Sequence, residues 1–188
     1  MVLSKLAQEV SDALVSTVKG ADDVLSALRG AVKNQITGVL KDVGDVATVG
    51  LDSVSDVVQG SVSAASQVGT SLTDAVKQAV KGAVLGVSEL GGDVLTAVRK
   101  AARGAVAGTA EVGGDVAQVA VSAVEGAVEA AGSVGASTAD AAKEAAMGVV
   151  KAADDISDKV GSEVREALLA AVSLPRDVIE KVVKGSES

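Results

Sequence analysis

Few residues in this chain are of types that do chemistry, and their spacings are simple. Ser16-Thr17-Val18-Lys19 has the Ser-x-x-Lys spacing of some acyl-enzymes. A Ser and a Lys three apart recur by chance in a chain of this composition, so catalysis is not expected there. Asp22-Asp23 and Asp154-Asp155 are adjacent carboxylates of the kind that hold a divalent cation. Both pairs fall on the polar side of the repeat described below, where solvated carboxylates are the expectation. Gly91-Gly92-Asp93 and Gly113-Gly114-Asp115 are not phosphate loops, because no strand precedes them and no Gly-Lys-Ser/Thr follows. Arg99, Lys100 and Arg103 form the densest basic patch. It would suit lipid headgroups or an acidic partner, but the ordinary reading is a solvated helix face.

What is absent narrows the chemistry further. The 188 residues include no His, Cys, Phe, Trp or Tyr and a single Pro. No His or Cys base–nucleophile pair can exist, and no disulfide or Cys/His zinc site. Aromatic stacking platforms for nucleic acid are excluded as well. The formal charge of −8 repels phosphate backbones, so nucleic acid is not an expected partner. The expectation is therefore a protein that is not an enzyme, with no catalytic, cofactor or metal site. Glu9 and Asp12 interrupt the N-terminal apolar residues, so no signal peptide is read. The longest uncharged run, Val57–Thr73, carries two Gln, four Ser and two Thr and makes a poor membrane span. A cytoplasmic protein is expected.

The elements that must carry these residues are repetitive. Val, Ala and Gly number 37, 34 and 21, about half the chain. Blocks of 22 residues starting at Gly38, Gly60, Gly82, Gly104, Gly126 and Gly148 align without gaps, and a seventh copy fits Ser16–Thr37. Each block splits into two units of 11. Apolar residues favour positions 2, 3, 6, 9 and 10 of the unit, and charged residues 1, 4, 7, 8 and 11. Eleven residues make about three helical turns. The apolar positions then share one arc of about 130 degrees. Strand-type alternation is missing despite the valines. The fold class is all-α: an N-terminal helix over 1–15, seven amphipathic repeats over 16–169, and a short C-terminal helix and tail over 170–188. The closing helix is Arg176–Lys184, with Pro175 at its first turn.

A second set of glycines, Gly69, Gly91, Gly113 and Gly135, is followed by Ser or Asp. Glycine and then a cap residue reads as a helix stop and restart. Ser71-Leu72-Thr73-Asp74 and Ser137-Thr138-Ala139-Asp140 resemble capping boxes. Two architectures stay open at this level. One is a near-continuous amphipathic rod; the other is an array of helices folded back at each of those glycines.

With 14 Leu, 3 Ile and no aromatic, the core is thin for its length. The apolar stripe must meet other helices of the chain, sister chains or an apolar surface. A homo-oligomer is expected. The period, and Gly-Val units such as Gly148-Val149-Val150-Lys151-Ala152-Ala153, Gly126-Ala127-Val128-Glu129-Ala130-Ala131 and Gly82-Ala83-Val84, resemble the 11-residue lipid-surface helices of synucleins, perilipins and exchangeable apolipoproteins. The resemblance covers 16–169. It implies a non-catalytic structural or interaction protein that self-associates through its stripe and coats or docks to a membrane or lipid droplet. One alternative is an oligomeric helical scaffold that links a partner enzyme, such as a hydrogenase, to the membrane and holds quinone or lipid. The other is a stress-protective protein of the late-embryogenesis type.

Overall fold

The computed structural model describes residues 5–18, 23–43 and 49–186. Among the described residues there are nine helices and no strand: α1 (Lys5–Val18), α2 (Val24–Val43), α3 (Val49–Gln67), α4 (Leu72–Glu89), α5 (Val94–Glu111), α6 (Val116–Ser133), α7 (Thr138–Ile156), α8 (Asp158–Ala170) and α9 (Arg176–Ser186). The chain is a folded-back array, not a rod. The helices form two layers. Odd-numbered helices stack on one another in one layer and even-numbered helices in the other, and consecutive helices pack across the layers. Asp22 and Lys19 of the candidate pairs lie outside the described residues.

The stop-and-restart glycines make the folds. Gly69, Gly91, Gly113 and Gly135 have φ of 75°, 70°, 71° and 76°, a left-handed conformation that costs glycine least. At the end of α4, Gly92 N–H donates to Val87 O at 3.0 Å and Gly91 N–H to Ser88 O at 3.1 Å. These two bonds define a Schellman motif, which satisfies carbonyls the helix end would otherwise orphan. The same pair of bonds closes α3, α5 and α6. One residue later the next helix is capped. The Asp93 and Asp115 side chains accept from Thr96 N and Gln118 N at 3.1 Å, and Ser137 accepts from Asp140 N at 3.2 Å. The sixth copy departs from this pattern. Ser157 stands one repeat after Gly135, with an extended backbone. It ends α7 by donating its N–H to Ala153 O and starts α8 by accepting from Val160 N at 3.2 Å. Helices α7 and α8 are therefore separated by one residue.

The apolar arc is buried inside the chain. One continuous cluster runs from Val10 to Val183 and is built almost wholly of Val and Ala, with Leu at its ends. Such small side chains fill space only if the helices come close. The block-leading glycines allow that, and they lie inside helices, not at their ends. A Cβ on Gly82 would sit 2.5 Å from Arg29 O, on Gly126 2.9 Å from Lys77 O, and on Gly148 2.6 Å from Arg99 O. Gly60 and Gly104 meet Ala7 O and Ser55 O in the same way. Each is a contact with the helix two places earlier in the same layer.

These contacts also correct the frame of the repeat. The first two pairs (60 and 7, 82 and 29) are four residues further apart in sequence than the next three (104 and 55, 126 and 77, 148 and 99). Four extra residues of chain thus lie between the docking positions of α2 and α3, and the gap-free 22-residue frame slips when carried back through Gly38. Gly38 has nothing within 4 Å of a built Cβ. The reason is physical: α2 is the first helix of its layer and has no predecessor to meet.

Charged side chains staple the same neighbours. Lys77 pairs with Glu125 at 2.8 Å and with Glu129 at 3.7 Å, and Lys81 pairs with Glu129, joining α4 to α6. Lys33 of α2 pairs with Glu89 of α4. Burial of Glu125 disfavours its charge, but hydrogen bonds from Lys77 Nζ and Ser173 Oγ and the Lys77 charge outweigh this and hold its carboxyl below the usual range. The Lys77 ammonium is held above its ordinary value, chiefly by that hydrogen bond.

Two outcomes are expected. Overpacking costs typically about 1–3 kcal/mol and helix propensity returns about 1 kcal/mol for Gly to Ala. Gly148→Ala should therefore lose up to about 2 kcal/mol in urea denaturation, whereas Gly38→Ala should gain up to about 1 kcal/mol. Glu125 contributes stability that is present above its unfolded value of 4.5 and is lost as pH falls through its lower folded value. The gap in stability to urea between the native chain and Glu125→Gln, on the order of 1 kcal/mol for a mostly buried pair, should stay constant above about pH 5 and close in acid.

Candidate functional site

The residues singled out for chemistry are used structurally. Arg99 pairs with Glu144, Lys100 with Asp52 at 2.6 Å and Arg103 with Asp155 at 3.1 Å. The basic patch of α5 thus clamps α3 on one side and α7 on the other. Asp155 is also held by Lys151 at 3.3 Å. Asp154 receives both arms of the Arg165 guanidinium at 2.7 Å, tying α7 to α8. No group of three or more metal-ligating side chains occurs among the described residues. Asp23 caps α2, accepting from Ser26 N at 3.1 Å. Ser16 Oγ donates to Asp12 O within its own helix at 3.2 Å. Among the described residues no helix is long and apolar enough to cross a membrane.

A concavity lies where the repeat logic stops. Between α7 and α9 is an open groove of about 760 Å³. Its cause is in the sequence. Helices α3 to α7 each lay a glycine on the carbonyl of the helix two places earlier. The only glycine of α9 is Gly185 in its last turn, which has nothing within 4 Å. No glycine of α9 is laid on a carbonyl of α7, and space is left between the two helices. Met147, Val150, Val178 and Val182 make the apolar walls. Met147 is 37% exposed, and Val150 and Val182 are buried.

The charges of the groove are also unfinished. Lys143 stands two repeats on from Arg99 and three from Lys77. Those two cations each meet a glutamate on the next helix of their layer. At the groove α9 brings Lys181 instead. Neither Lys143 nor Lys181 makes an ion pair among the described residues. Lys151, Asp140 and Asp154 line the groove as well, with Lys151 and Asp154 held by the partners named above. A smaller hollow of about 340 Å³ lies between α5 and α7 beside Arg103, Glu111 and Asp155. Gln59 Nε2 donates to Glu111 Oε1 at 2.8 Å, and Glu111 Oε2 has no hydrogen-bond partner.

Sequence patterns did not single out the groove. Lys143, Met147 and Lys181 are unremarkable in their own helices. The available signal was negative: the one glycine of the closing helix, Gly185, stands in its last turn.

No protein-family model matches the chain, and no curated protein matches it. The chain is similar in fold to a solved structure, the de novo designed helical repeat protein DHR7. The TM-score is 0.53 at 18% identity, covering 96% of this chain and 95% of that one. The likeness is one of architecture: an array of helical hairpins.

Asp154→Ala would leave the Arg165 guanidinium, only 13% exposed, without its bidentate partner. A loss of about 1–3 kcal/mol in urea denaturation is expected, with the helical signal of the folded state unchanged.

Proposed function

We propose that the protein is a non-catalytic interaction protein: a helical-repeat scaffold that presents a ligand site at the C-terminal end of its array. One observation carries this reading. The Val/Ala/Gly stripe, the feature most suited to coating a lipid surface, is already covered by helices of the same chain. Adsorption through that stripe would require the helices to part, exposing a continuous core. The groove between α7 and α9 offers an apolar surface without that cost. Docking of lipid-like material is therefore assigned to the groove and not to the stripe. A cytoplasmic setting accords with this reading.

Circular dichroism and light scattering provide the test. The scaffold reading expects a fully helical protein in dilute buffer, with a monomer mass and no gain of helix when neutral-lipid vesicles are added. A coil that turns helical only on vesicles would overturn it in favour of lipid-surface adsorption. A stable multimer at all concentrations would favour the oligomeric scaffold beside a partner enzyme.

A further inference from the structure

We propose that the groove between α7 and α9 binds a free single-chain anionic amphiphile, with its acid head between Lys143 and Lys181 and its tail along Met147, Val150, Val178 and Val182. The inference rests on the scaffold reading above and adds the ligand class.

The walls state the chemistry. Val150, Val178 and Val182 give an apolar floor, and Met147 adds a flexible thioether that adapts to an alkyl chain. The volume of about 760 Å³ is in the range of small-molecule sites, roughly 300–1,000 Å³. An open space of this size, lined by aliphatic side chains and a thioether, can take an alkyl chain.

Charge selects the head group. The chain carries a net −8, yet this groove brings together Lys143, Lys151 and Lys181. Of the two acids that line it, Asp154 is already held by both arms of Arg165, and Asp140 stands exposed in the first turn of α7. Lys151 is turned to Asp155. Lys143 and Lys181 remain, one from each wall. At Lys77 and Arg99, two equivalent cationic positions, a glutamate from the next helix of the layer answers the charge. Among the described residues no acid of α9 pairs with Lys143, and a bound anion would take that place. Both lysines line the groove, and a carboxylate placed between them would gain two charge-assisted hydrogen bonds.

The chain has two methionines, so ¹³C-methyl labelling of Met147 gives a reporter inside the groove. Titration of the full chain with dodecanoate below its micelle concentration should shift the Met147 methyl signal saturably and leave the Met1 signal in place. Dodecyltrimethylammonium, with the same tail and opposite charge, should bind at least tenfold more weakly, and acetate should not shift it. Lys143→Glu with Lys181→Glu should weaken dodecanoate at least tenfold while leaving the helical signal intact, since both side chains are exposed. Absence of a saturable Met147 shift would overturn the proposal. So would equal binding of the cationic amphiphile, or a response only to phosphatidylglycerol vesicles. If the protein is a helical monomer and dodecanoate fails, the ligand assignment alone falls. If the chain is coil until amphiphile is added, it is the scaffold reading that fails.

Discussion

A glycine laid on a backbone carbonyl is the contact on which this array depends. Helices built from Val and Ala have short side chains, and at ordinary helix separation those side chains would leave gaps between them. Gaps are costly because the lining atoms lose their dispersion partners. Removing the Cβ at Gly82, Gly104, Gly126 and Gly148 lets each helix sink onto the helix two places before it. The short side chains beside the glycine then touch, and the stripe becomes a close-packed core. The same step repeats along each layer, so stability is shared among neighbouring pairs, as in other repeat proteins.

Electrostatics follows the same geometry. Once the helices are close, charges at the edges of the stripe come within reach of the next helix. Lys33, Lys77, Lys81, Arg99 and Arg103 all meet acids on the following helix of their layer. A basic cluster that looked available to an external partner is divided between two neighbours. Partly exposed pairs of this kind add little each, but they fix which helix edges face one another. In this way the acidic chain consumes most of its cations internally.

The end of the array is where both rules lapse. Among the described residues, helix α9 lays no glycine on a carbonyl of α7 and brings no ion-pair partner to Lys143. One absence leaves space, and the other leaves charge. A site of this sort needs no special loop. It arises because the last helix closes the core without completing the contact, and it puts apolar walls beside cations in a protein that is otherwise acidic.

Much of the architecture was legible in the sequence. The eleven-residue period specified helices and their buried arc, because a period of about 3.67 residues per turn keeps apolar positions on one side. Glycine followed by Ser or Asp marked the turns at Gly69, Gly91, Gly113 and Gly135, since the left-handed C′ residue and the N-cap are local preferences. Other features are not local. Rod or array, the covering of the stripe by the same chain, the four-residue slip ahead of α3 and the division of Arg99, Lys100 and Arg103 between α3 and α7 all depend on which helices meet. The groove beside Lys143 depends on a contact that is not made. Sequence periodicity determines what each helix offers to a neighbour; only the tertiary structure decides which neighbour takes it, because close approach is a property of two backbones together.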